Sequence, residues 1–151
     1  MKKIFYVLIL ISFAFKQSDN KVIWQEIRSG RNSGIHETDS RMITDLSDLH
    51  RLNNDLIKRD YLGEIEVNEV DFNRQSLVVY FAGSNVNAIK MDSAKIVNNT
   101  LLIYIDRIEF SRGCYEATLL VTPYIVLKID KGNWKTYEIR TSVSTRICDE
   151  K

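Results

Sequence analysis

A chain of 151 residues that is 44% hydrophobic and 27% charged, with a single proline, has room for one globular domain and not two of ordinary size. Those proportions exclude a fibrous or disordered chain. The formal charge is +1 and no basic block interrupts it, so there is no electrostatic footprint for nucleic acid or for anionic lipid.

The N-terminus reads Met1-Lys2-Lys3, then an apolar run from Ile4 to Ile11, then Ser12-Phe13-Ala14. A basic start, a short apolar stretch and small residues at alternate positions fit a secretory signal peptide over residues 1–14, with cleavage as late as residue 18 as the alternative. The apolar stretch covers 12 residues from Ile4 to Phe15. A membrane-spanning helix needs roughly 20, so no stable membrane insertion is expected after cleavage. Without residues 1–14 the chain loses Lys2 and Lys3 and its formal charge moves from +1 to −1. The expected mature protein is one β-rich domain over residues 22–148, periplasmic or secreted.

Val22 to Ile27 is rich in β-formers and ends at Ser29-Gly30, which predicts a first strand. Arg31 to Ser40 reads as a loop leading to a short strand at Arg41-Met42-Ile43. Asp45 then opens an amphipathic helix reaching about Asp60. Leu46, Leu49, Leu52, Leu56 and Ile57 fall within an arc of about 140° on it. Thr44 or Asp45 can cap its free N–H groups, Asp48 suits the positive end of its dipole, and Gly63 marks the stop.

Val70-Asp71-Phe72 leads into Leu77 to Phe81, a continuous apolar run that suits a strand covered on both faces. A strand from Val86 to Val97 follows. Asn98-Asn99 predicts a tight hairpin turn, because asparagine tolerates positive φ. Leu101, Ile103 and Ile105 share one parity and Ile108 and Phe110 the other, which predicts a bulge or break near Asp106-Arg107. Ala117 to Ile129 and Tyr137 to Val143 then read as a hairpin turning at Lys131-Gly132, with Pro123 on an edge or at a bulge. The expected fold is α+β, a mainly antiparallel sandwich- or half-barrel-like sheet with one helix on a face.

Two cysteines, Cys114 and Cys148, stand in a chain expected to enter an oxidising compartment. In a regular final hairpin, the register that sets Ile125 opposite Tyr137 also sets Cys114 opposite Cys148. The next allowed register makes the cysteines diagonal neighbours. A disulfide follows, with about 3–4 kcal/mol of stabilisation in the chain-entropy model; two unpaired buried thiols are the alternative. A catalytic thiol lacks both a C-x-x-C motif and a placeable histidine partner.

Other chemistry is sparse. His36 and His50 have no second ligand at helical spacing, so no metal or cofactor site is expected. His36 with Glu37 is the one polar loop suggesting a ligand site or a small active site. Glu64, Glu66, Glu69 and Asp71 form an acidic stretch of exposed character, and Asp106 and Glu109 flank the expected bulge. No phosphate loop, nucleophile elbow or zinc-helix motif occurs, and no catalytic residue is assigned. Arg112 and Tyr115, around Gly113-Cys114, pair two residue types favoured in protein interfaces.

Val70-Asp71-Phe72, the strand ending Phe81-Ala82-Gly83, and Val121-Thr122-Pro123-Tyr124-Ile125-Val126-Leu127-Lys128-Ile129 together resemble the bacterial PrcB C-terminal domain family. The resemblance spans about Val67 to Ile139. It departs from the family at Asn85-Val86-Asn87-Ala88-Ile89, where a Gly-Gly-Tyr-like stretch is usual. The family takes its name from a subunit that stabilises a secreted protease complex, and it has no established catalytic residues to carry over. The resemblance implies a non-enzymatic accessory module whose partner is another exported protein, a protease among the candidates.

Overall fold

The computed structural model describes residues 22–57, 69–84, 86–111 and 121–147. In chain order the elements are β1 (Trp24–Gly30), β2 (Asp39–Ile43), α1 (Leu46–Ile57), β3 (Gln75–Phe81), β4 (Ala88–Val97), β5 (Thr100–Phe110), β6 (Tyr124–Asp130) and β7 (Thr136–Arg146). Four strands form one sheet in the order β1-β6-β3-β2, all pairs antiparallel. Three form a second sheet in the order β4-β5-β7, with β4-β5 antiparallel and β5-β7 parallel. The fold is an α+β sandwich, and no sheet closes into a barrel.

The layering explains the composition of the central strands. On β3 and β6 one set of side chains (Leu77, Val79, Phe81, Tyr124, Val126) packs with Leu49 and Leu52 of α1. The alternate set (Val78, Tyr80, Ile125, Leu127, Ile129) packs with Met91, Leu101, Ile103 and Ile105 of the second sheet. A strand covered on both faces gains nothing from polar alternation, so the run from Leu77 to Phe81 is unbroken. Each fully buried leucine or isoleucine contributes about 1.5–3 kcal/mol of transfer free energy.

Local signals account for several element ends. The Asp45 carboxylate accepts the Asp48 N–H at 2.8 Å, and its carbonyl accepts the Leu49 N–H at 3.1 Å. Asp45, not Thr44, is therefore the N-cap. Asn98 and Asn99 have φ of 49° and 62°, the paired positive angles of a two-residue hairpin turn. Leu46, placed on the apolar arc by its spacing, is 45% exposed. It sits in the first turn, where it lines a cleft with Thr44, Ser47 and Val70 instead of joining Leu49 and Leu52 in the core. Gly63, the acidic Glu64 and Glu66, and the helix past Ile57 lie outside the described residues.

Three expectations are corrected. First, β6 and β7 do not form a hairpin: β6 lies between β1 and β3, and β7 pairs in parallel with β5. Lys131-Gly132 begins a connection between sheets. The alternating faces of the two strands do meet the same core, but from opposite layers. Secondly, no bulge occurs on β5 near Asp106-Arg107, where the register with β7 is regular from Thr100 to Phe110. The irregularities fall between Met91 and Ser93 on β4 and between Glu26 and Arg28 on β1. The parity change arises because Arg107 takes the next core-facing position after Ile105. Thirdly, Pro123 is neither on an edge strand nor at a bulge. It immediately precedes the central strand β6, where its carbonyl accepts the Ala82 N–H at 2.9 Å and its missing donor costs no ladder bond.

Candidate functional site

Three places in the described residues collect polar or unpaired groups. The first is a pair of clefts beside the N-terminal end of α1. One, of about 290 Å³, is lined by Arg41, Met42, Ile43, Asp48, Arg51 and Leu52. Its charges are already matched: Arg41 Nε pairs with Asp39 Oδ2 at 3.0 Å, and Arg51 pairs with Asp48 one helical turn away. The Arg41 guanidinium also lies 5.9 Å from the centroid of the Phe81 ring. The second cleft, of about 600 Å³, runs from Thr44-Ser47 to Val70-Asn73. Its carboxylates serve backbone groups: Asp45 caps α1, and Asp71 Oδ1 accepts the Asn73 N–H at 3.0 Å. Neither cleft offers a carboxylate free of a structural duty.

His36 and Glu37 are both exposed and line neither cleft. Their importance is in the main chain. The His36 carbonyl accepts the Ser84 N–H at 3.1 Å and the Ser84 hydroxyl at 3.2 Å, and it lies 2.8 Å from where a Cβ on Gly83 would stand. Close by, the buried Thr122 hydroxyl accepts the N–H groups of Ser33 and Gly34, each at 2.9 Å. The loop after β1 is thus docked on the β3 end and the β6 entry. His50 is exposed on α1, and Asp106 accepts the hydroxyls of Ser142 and Ser144 at 3.0 and 2.7 Å across β5-β7. No group of three or more metal-ligating side chains occurs among the described residues. Nor does any helix there have the length and apolarity to cross a membrane.

Cys114 and Cys148, and with them Arg112 and Tyr115, lie outside the described residues. With β6 and β7 in different sheets, no hairpin register sets Cys114 opposite Cys148. The β5-β7 pairing brings their flanking strands together instead. Phe110 is opposite Arg146, and the Ser111 N–H donates to the Arg146 carbonyl at 3.0 Å.

The second place is the free edge of β7. Among the described residues the four sheet edges are β1, β2, β4 and β7. Native edges are normally blunted by bulges, charges or shortness, because unpaired N–H and C=O groups template further strands. β1 carries an irregularity between Glu26 and Arg28, and β2 has only five residues. β4 carries one at Asp92 and exposes Lys90 and Lys95. β7 has none of these along Thr141 to Thr145: five uncharged, exposed residues in a strand of regular register.

The bond from Ser111 to the Arg146 carbonyl sets which residues face outward. In a parallel ladder alternate residues address the same neighbour. Even-numbered residues of β7 therefore turn their backbone groups to β5, and Thr141, Val143 and Thr145 turn theirs to the open edge. Val143 is 58% exposed and Ile147, just past the strand, 79%. The sequence does not display this edge, because the alternation of β7 fits a hairpin with β6 as well as it fits the observed pairing with β5. The third place lies between the sheets, where Tyr80 and Arg107 leave polar atoms unpaired. Comparison with known proteins finds no family model, no curated protein and no solved structure that matches the chain.

Proposed function

We propose that this chain is an exported, non-enzymatic binding module that takes up an extended segment of another exported protein by strand addition at the β7 edge. The contrast between β7 and the three blunted edges carries the reading. Strand addition supplies affinity through main-chain hydrogen bonds, and neighbouring side chains supply selectivity. Here the added strand would lie beside the outward N–H and C=O groups of Thr141, Val143 and Thr145. Export rests on the signal-like N-terminus, and the resemblance to the PrcB C-terminal domain family makes a protease one candidate partner. A ligand or catalytic site at His36 has no comparable support, since His36 and Glu37 are exposed and line neither of the two clefts described above.

A disulfide between Cys114 and Cys148 belongs to the same proposal. Cys114 is three residues beyond Ser111 and Cys148 two beyond Arg146, and those two residues are hydrogen-bonded neighbours. A chain reach of at most about 3.5 Å per residue allows both cysteines to meet. The bridge would then staple the far end of β5-β7, close to the proposed docking edge and to Arg112 and Tyr115.

Val143→Pro tests the edge directly. Proline removes the outward N–H at the centre of the edge while leaving the β5-β7 ladder intact. Envelope proteins captured by the wild-type chain and crosslinked through a photoreactive residue at position 143 should be lost in the variant. Crosslinks that are only chain-to-chain would overturn the reading in favour of self-association. Capture unaffected by the proline would remove β7 as the docking edge.

A further inference from the structure

Outward from Val143, β7 has the same sequence in both directions: Ile139-Arg140-Thr141-Ser142-Val143-Ser144-Thr145-Arg146-Ile147. The centre of this palindrome is also the centre of the uncharged, exposed stretch that leaves the edge open. A palindrome by itself says nothing about pairing, but the backbone repeats its symmetry. Thr141, Val143 and Thr145 turn their N–H and C=O groups to the open edge, and that set is itself symmetric about Val143. A strand with both symmetries matches an antiparallel copy of itself, related by a two-fold axis through Val143.

In that arrangement Val143 exchanges both backbone bonds with Val143 of the second copy, and Thr141 does so with Thr145 of the second copy. A register displaced by one residue would set outward groups against inward ones and form no ladder. The next registers that keep the ladder set Val143 against Thr141 or Thr145, and Ile147 against Tyr137 or Thr141. Only the centred register opposes Val143 to Val143 and Ile147 to Ile139. Val143 and Ile147, 58% and 79% exposed, are two of the four large hydrophobic residues exposed among the described residues. Odd-numbered positions share the face on which Tyr137 and Ile139 pack against the core. The pairing therefore continues one apolar stripe across both copies, flanked by Thr–Thr pairs, which are favourable across strands. On the other face Arg140 meets Arg146 of the second copy, an unfavourable pair. Glu138 offsets it: its carboxylate accepts Arg140 Nε at 2.8 Å and stands diagonal to Arg146 of the second copy.

We propose that β7 pairs antiparallel with β7 of a second copy about a two-fold axis through Val143, so that the chain covers its own docking edge in a dimer that parts when another exported segment is taken up. This rests on the reading of β7 as the docking edge and names its occupant when no other partner is bound. Pairing along a single strand makes a dissociable dimer, so in dilute solution the edge is free and the fold of each copy is unchanged.

Sedimentation of the protein purified after export, over a concentration series, tests the pairing. Thr141 and Thr145 lie about 13 Å apart in one copy but face each other across the axis. Thr141→Lys/Thr145→Glu therefore sets opposite charges across the interface, and Thr141→Lys/Thr145→Lys sets like charges. The first variant should dimerise at least about tenfold more tightly than the second, and Val143→Pro should be monomeric. Equal dissociation constants in the two charged variants overturn the register, and a dimer that survives Val143→Pro overturns the pairing. The second probe is an acetylated, amidated peptide of residues 139–147, which should bind the wild-type edge and dissolve the dimer. A monomeric wild-type chain that binds this peptide, with binding lost in Val143→Pro, overturns the dimer and leaves the docking edge standing. A monomeric chain that does not bind it overturns both.

Discussion

Gly83 shows how a single residue holds a loop in place. Its φ of +78° is open to glycine and strained for other residues, and a Cβ would stand 2.8 Å from the His36 carbonyl oxygen. The nearest atoms are all backbone of the docked loop, so no side-chain rotation can relieve the clash. Gly83→Ala should cost about 1–3 kcal/mol in urea unfolding, and a change below about 0.5 kcal/mol would contradict the packing described. Gly30 is a different case: the Tyr124 ring sits where its Cβ would be, with Cε1 at 2.6 Å.

The two buried tyrosines give the fold a pH dependence of known sign. Burial raises Tyr80 and Tyr124 above their ordinary 10.0, opposed in part by Arg107 and Arg28 respectively. As pH rises through that value, the unfolded chain ionises first and binds fewer protons than the folded one. Stability from these groups is thus fully present below about pH 10 and is lost on going up through the folded values. Urea midpoints measured from about pH 8 to pH 11 should fall, and the fall should be shallower in Tyr80→Phe and Tyr124→Phe. Equal slopes in all three proteins would show that other groups dominate.

At the level of elements, β7 makes a prediction that depends on backbone direction alone. Val143 and Ser144 are neighbours, both exposed, yet their N–H groups point opposite ways. Val143→Pro should be nearly neutral in thermal stability. Ser144→Pro breaks a bond to β5 and should be at least about 1 kcal/mol more destabilising. Similar losses for both would mean that the open edge has been assigned to the wrong set of residues.

Elements built from local patterns were readable in advance. Leu49 and Leu52 on a helical spacing, the Leu77 to Phe81 run and the Asn98-Asn99 turn each depend on near neighbours in the chain. The partner of β7 was not readable, because Tyr137 and Ile139 present the same alternation to β5 as they would to β6. For the same reason Arg107 looked like a break in phase. Only the regular β5-β7 register shows that it occupies a core position.

For the whole molecule, three layers share one central sheet, and burial falls away towards the far end of the β5-β7 pair. Residues 106–110 of β5 are only partly buried, and residues 140–146 of β7 are exposed. A Cys114–Cys148 bridge would close that end and raise stability by about 3–4 kcal/mol in the chain-entropy model. Reduction of protein purified from an oxidising compartment should therefore lower its melting temperature, and the Cys114→Ser/Cys148→Ser variant should melt at the reduced value. Free thiols in the native protein would rule the bridge out. Intact mass under non-reducing conditions would report the cleavage position as well.

From sequence alone came one β-rich domain, the helix with its apolar face, most strand positions and a polar inventory with no catalytic motif. These follow from composition and short-range periodicity, which a single chain displays directly. Strand order, the parallel β5-β7 pair and the open edge came only with the tertiary structure. A strand's alternation shows that it has an inner face, but not which strand it pairs with or which of its edges is left unpaired. Those depend on partners distant in the chain, and the open edge of β7 is left by such long-range pairings.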